Sequence, residues 1–176
     1  MTHSISTRRC RTEGGFSLLE MVFATVILLV GLVAVAQLVP SSITMNSRNR
    51  SDSTALVFAQ RVLDQMLDHK LIDTTFSDPL GYGGNLGSLA TPNMVVGSPV
   101  VLDTDGRPLI DFAAGQVPNY SFPYQDPSGI TFDVRWAVIT SVNGPTITSK
   151  RFILGVRQQG GNGFFLPITL DTMVER

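Results

Sequence analysis

Cysteine is nearly absent from this chain of 176 residues: the single one is Cys10, and from Phe16 onward there is none. A disulfide framework is therefore excluded, and whatever folds must hold by packing alone. Histidine is almost as scarce, with His3 near the start and His69 by itself. Neither a Ser-His-Asp arrangement nor a histidine-based metal cluster can be assembled from them, so no catalytic constellation and no cofactor site emerges. Charge of one sign is also missing. The formal net charge is −1, which does not describe a general nucleic-acid binder. From Phe16 to Val39 the only ionisable side chain is Glu20, and no proline occurs before Pro40.

That last absence is what the chain is organised around. The run Phe16 to Val39 is built of Leu, Val, Ile, Ala and Phe. About 20 apolar residues suffice for a helix to cross a bilayer core of about 30 Å. In lipid a helix satisfies its own backbone groups. The run differs from a secretory signal, where small residues follow the apolar segment. Here the small pair Gly14-Gly15 precedes it, and the exit Gln37-Leu38-Val39-Pro40 is a poor cleavage site. A cut at the glycines would leave the helix at the start of the mature chain. Glu20 stands out as well, because a carboxylate within an apolar span costs roughly 2.5–3.5 kcal/mol on insertion scales. In the plain-anchor reading it snorkels to the interface.

Gly15-Phe16-Ser17-Leu18-Leu19-Glu20 resembles the processing motif of type IV prepilins and type II secretion pseudopilins. The resemblance implies a basic leader of residues 1–15, carrying Arg8, Arg9 and Arg11. It implies cleavage between Gly15 and Phe16 by a prepilin peptidase, and N-methylation of Phe16. It further implies that Glu20 pairs with a terminal amine during filament assembly. Phe16 and Glu20 are four apart, which on a helix puts them on one face, about 6 Å apart along the axis. A negative side chain also suits a helix N-terminus. Loss of the leader leaves the mature chain mildly acidic.

Beyond the span, Pro40 predicts a kink, with Ser41 and Ser42 bonding locally. Ala55, Phe58, Ala59, Val62, Leu63, Met66 and Leu67 recur at helical spacing. One helix over about residues 17–71 is expected, with His69 and Lys70 in its last turn. Residues 73–99 carry turn signals at Asp78-Pro79, Gly81 to Asn85 and Thr91-Pro92-Asn93, and read as a variable loop. Their glycines lack the lysine and hydroxyl residue of a phosphate loop. Asp103-Thr104-Asp105-Gly106-Arg107 between apolar runs signals a hairpin. Asp103 and Asp105 also resemble the opening of a calcium loop, without its distal glutamate. Ile130, Phe132, Val134, Trp136 and Val138 alternate with Thr131, Asp133 and Arg135. Strands are expected there, over Thr146 to Arg157, and from Phe164 to Val174 after a turn at Gln159 to Gly163. Pro167 marks an edge or a bulge. The result is an antiparallel meander with one buried face over the helix. Lys150, Arg151 and Arg157 are assigned to the solvated face, and Trp136 to the core.

The expected fold class is therefore α+β and type IV pilin-like: a leader over 1–15, a membrane-spanning half-helix over 16–39, an amphipathic half-helix over 40–72, a loop over 73–99 and a sheet over 100–176. Val134-Arg135-Trp136 and Lys150-Arg151 further resemble PilV-like minor pilins and the minor pseudopilin I of type II secretion. Arg157-Gln158 stands where that group often has an aromatic. The resemblance implies a non-enzymatic structural subunit, single-pass in a bacterial inner membrane with its C-terminal domain in the periplasm. Such a subunit helps to initiate or cap assembly of a type IV pilus or a type II secretion pseudopilus. Its implied partners are the prepilin peptidase/methyltransferase, other minor and major pilins or pseudopilins, the assembly platform and membrane lipid, with no nucleic acid expected. The alternative is a pilin-like DNA-uptake or adhesive tip subunit, which needs an exposed basic or aromatic patch.

Overall fold

A computed structural model describes residues 15–160 and 166–175. The protein is α+β, with one long helix and an antiparallel sheet. It divides into two compact units, one ending at Ser47 and one beginning at Arg48. The implied leader lies outside the described residues, except for Gly15.

The first unit is the N-terminal part of α1, which spans Leu18–Asp68. By length and composition α1 can cross a membrane. Every described residue of this unit is exposed, so an unbroken apolar surface has no protein to cover it. The helix runs on through Pro40. Proline contributes no N–H, and hydroxyls near it bond the backbone locally. Ser42 Oγ donates to the Leu38 carbonyl (2.9 Å) and Thr44 Oγ1 to the Ser41 carbonyl (2.8 Å).

In the second unit the rest of α1 buries Ala55, Phe58, Ala59, Val62 and Met66, the stripe expected at helical spacing. The helix ends at Asp68 rather than 71, so His69 and Lys70 lie beyond its last turn. Asp73 accounts for the early stop. Its carboxylate accepts the Lys70 N–H (3.0 Å) and lies 3.3 Å from His69 Nδ1, while its own N–H bonds the Lys70 carbonyl (3.0 Å).

The stretch read as a loop over 73–99 contains three short strands. β1 (Thr75–Ser77) and β2 (Gly83–Asn85) form a hairpin, and β3 (Val95–Gly97) joins the main sheet. β4 (Val100–Leu102) and β5 (Pro108–Ile110) are the hairpin expected around Asp103–Arg107. β6 (Ser121–Gln125) follows, then the long pair β7 (Thr131–Asn143) and β8 (Thr146–Gln159), then β9 (Ile168–Glu175). The main sheet runs β3-β7-β8-β9, with β6 also on β7, and every pairing is antiparallel. β9 begins after Pro167, at an edge. Phe164 and the turn at Gly161 to Gly163 lie outside the described residues.

The core-facing residues of β7 and β8 are those read from the alternation: Phe132, Val134, Trp136 and Val138 against Val156, Leu154 and Phe152. They pack on the α1 stripe. The sheet's other face is solvated only in part, at Arg151, Asp171 and Met173, and is covered elsewhere, contrary to expectation. Ile110 and Phe112 lie over Ala137 and Ile153 in a second, smaller core, because the chain from β4 to Phe112 folds back across the sheet. Asp133 and Arg135, assigned to solvent, are consequently buried. Lys150 is buried too. It shares parity with Phe152 and Leu154, so the pleat turns it toward the helix side, where its Nζ donates to the Asp73 carbonyl (2.6 Å).

Candidate functional site

The N-terminal junction begins with Gly15, Phe16 and Ser17, which precede the helix and are all exposed. A Cβ at Gly15 would meet nothing within 4 Å, so no contact within the described chain requires glycine there. Phe16 is 82% exposed. It lies outside α1, so in the uncut chain it is not the helical neighbour of Glu20 that the four-residue spacing suggests.

The reason is Ser17. Its Oγ accepts the Glu20 N–H (3.2 Å), and its carbonyl accepts the Met21 N–H (3.1 Å). This is the Ser17 half of a capping box, in which a serine precedes a glutamate by three positions and satisfies an otherwise orphaned donor. The Ser-x-x-Glu spacing is itself a sequence signal for this cap, separate from the Phe16–Glu20 spacing. Glu20 itself sits in the first turn and forms no ion pair among the described residues.

The other candidate groups are occupied by the fold. Asp103 Oδ1 accepts the backbone N–H groups of Asp105 (2.8 Å) and Arg107 (3.0 Å), which makes it the organiser of a turn. No group of three or more His, Cys, Asp or Glu able to hold a metal occurs among the described residues. The expected basic group is dispersed. Lys150 is buried, Arg151 pairs with Asp171, and Arg157 stacks 4.7 Å over the Phe112 ring and lies 3.9 Å from Asp133.

Asp133, Arg135 and Phe112 form a buried polar cluster that the alternation alone did not reveal. Arg135 Nη2 lies 2.8 Å from Asp133, its Nη1 donates to the Ala114 carbonyl (2.7 Å), and its guanidinium stacks 5.0 Å over Phe112. Gln116 adds a bond to Asp133 (3.0 Å). Each charge has a partner, as burial requires, and the cluster pins residues 111–116 to the sheet.

Several ionisable groups are displaced by their surroundings, Lys150, Asp73 and Tyr120 among them. Burial pushes the Lys150 amine below its ordinary value, against the opposing charge of Asp73. The hydrogen bond from His69 holds the Asp73 carboxyl below the usual range. Burial raises the Tyr120 hydroxyl.

Trp136 is fully buried and its Nε1 donates to the Asn85 carbonyl (2.8 Å), so it is a core residue tied to the β1–β2 hairpin. A cleft of about 330 Å³ between α1 and β6 is lined by Ser53, Thr54, Val57, Phe58, Arg61 and Tyr124. Phe58 stacks on Tyr124 at 3.6 Å, and nothing there converges on a reacting atom. Comparison of the chain with protein-family models, with curated protein sequences and with solved structures gives no match.

Proposed function

We propose that this chain is a type IV pilin-like subunit, a minor pilin or minor pseudopilin that is made as a precursor. It is inserted in the inner membrane and cut after Gly15. One observation carries the reading. An exposed Gly15-Phe16 bond stands just ahead of an apolar helical stretch, and the one ionisable side chain of that stretch up to Val39 is Glu20, in the first turn. Nothing inside the described chain requires glycine at position 15 or pairs the Glu20 charge, since Gly15 has open space around it and Glu20 has no ionic partner among the described residues. A recognising peptidase accounts for the glycine. A neighbouring subunit's new amine on Phe16 accounts for the carboxylate.

In this reading the chain is a substrate of prepilin peptidase and its methyltransferase, and not an enzyme. Its lasting partners are other pilins or pseudopilins, the assembly platform and lipid. A subunit made for DNA uptake draws no support from the basic residues, because Lys150 is buried and Arg151 and Arg157 face acidic partners.

The test co-expresses the chain with a prepilin peptidase and reads the mature N-terminus by mass spectrometry. The expected product begins with N-methyl-Phe16, and an intact leader or a cut beyond Ala36 rejects the reading. Glu20→Ala should leave cleavage unchanged and reduce crosslinking to partner subunits at matched membrane levels. Removing one member of a poorly solvated charge pair costs roughly 3–5 kcal/mol. Equal crosslinking would return Glu20 to the role of a snorkelling boundary residue.

A further inference from the structure

We infer that Ser17 is a positioning residue for the cleavage after Gly15, acting through the start of the helix. This inference rests on the reading of Gly15–Phe16 as the processed bond.

The argument follows individual atoms. In an α-helix each N–H bonds the carbonyl four residues earlier. Were α1 to extend one turn further, the Leu19 N–H would bond the Gly15 carbonyl and the Glu20 N–H the Phe16 carbonyl. The first of these carbonyls belongs to the scissile bond itself. In the structure the Glu20 N–H is taken by Ser17 Oγ instead (3.2 Å). The helix starts at Leu18, and its entry bond is Met21 N–H to the Ser17 carbonyl (3.1 Å). Among the described residues no backbone hydrogen bond ends on Gly15 or Phe16. Among the described residues the scissile carbonyl thus has no backbone donor, and its peptide group lies two residues outside the helix.

A peptidase must reach that carbonyl and polarise it, which a carbonyl already bonded within a helix resists. The competition is real in an apolar setting. Orphaned N–H groups at a helix end demand partners where water is scarce. If Ser17 does not supply one to Glu20, the nearest alternative is the Phe16 carbonyl, and a turn closed there brings the Leu19 N–H onto the Gly15 carbonyl. Phe16 and an alanine at position 17 both tolerate helical geometry, so the helix would grow toward the leader and cover the bond. The capping hydroxyl is what prevents this.

The experiment uses the full precursor in detergent micelles with purified prepilin peptidase. It compares wild type, Ser17→Ala and Ser17→Thr. A serine cap biases its helix end by about fivefold over alanine. Initial cleavage of Ser17→Ala should slow by about that factor, and Ser17→Thr, which keeps the hydroxyl, should restore the rate. Amide hydrogen exchange gives a readout independent of the peptidase. In Ser17→Ala the Leu19 N–H should become more protected, having gained the Gly15 carbonyl. Equal cleavage rates for serine and alanine, with wild type cut between Gly15 and Phe16, would overturn the role of Ser17 and leave the processing reading standing. Slow cleavage of both variants, or unchanged protection at Leu19 in Ser17→Ala, would show that the peptidase reads serine directly and would overturn the cap mechanism. Wild type left uncut at this bond overturns the processing reading and this inference together.

Discussion

At the scale of single residues, Lys150 carries the most information, because its position follows from strand parity and its environment does not follow from its charge. It occupies a core-side position between Thr140 and Val174 and donates to the Asp73 carbonyl. Burial favours its neutral form, so its folded pKa lies below the ordinary 10.5. Between those two values the unfolded chain binds more protons than the folded one, and stability therefore rises with pH. Below the folded value the penalty for burying the charge is complete and constant. Urea unfolding should show wild type gaining stability relative to Lys150→Met as pH rises toward 10.5. Tyr120, shifted upward from 10.0, acts in the opposite sense and only near that value, and it is common to both proteins. Identical slopes would mean that Lys150 stays solvated in the native state.

At the scale of elements, the alternating pattern of β7 and β8 and the helical stripe of α1 were legible because each follows one unbroken period. Elements whose reason for being lies elsewhere in the chain were not. β6 is hard to read although Phe122 and Tyr124 alternate ahead of a turn at Asp126-Pro127-Ser128-Gly129, since two aromatics flanking a proline are a weak strand signal. Asp133 and Arg135 looked solvent-facing because only the tertiary fold brings Phe112 over them. The glycines of β2 looked like loop punctuation, yet they are demanded by close approach. A Cβ at Gly84 would lie 2.4 Å from the Asn119 carbonyl and 2.6 Å from the Trp136 ring. Gly84→Ala should therefore lower stability by roughly 1–3 kcal/mol, the usual range for overpacking. Gly115→Ala, where a Cβ meets nothing within 4 Å, should change it by no more than about 0.5 kcal/mol. Equal effects in chemical denaturation would show that the hairpin gives way around the added methyl.

At the scale of the whole molecule, two units call for two solvents. The unit up to Ser47 offers an exposed apolar helix, whereas the unit from Arg48 encloses its own core. A fragment from Arg48 to Arg176 should fold in water without lipid, with a cooperative melt unchanged by reductant because it holds no cysteine. A fragment that stays unstructured by circular dichroism would mean that the core depends on the preceding span. The long β7–β8 ladder has a further consequence, in time instead of space. Its strands meet across a tight turn at Gly144, whose φ of 60° suits glycine. Its closure is therefore entropically cheap. The Lys150–Asp73 bond, by contrast, joins residues 77 apart in the chain. Local pairing forms faster than distant pairing, so the hairpin should zip outward from Gly144 before the helix docks on it. In pulse-labelled refolding, the amides of Ala137 and Ile153, which face each other across the β7–β8 ladder, should be protected ahead of those that depend on the helix-to-sheet seal. The order of assembly is then written into the lengths of the loops that each contact must close.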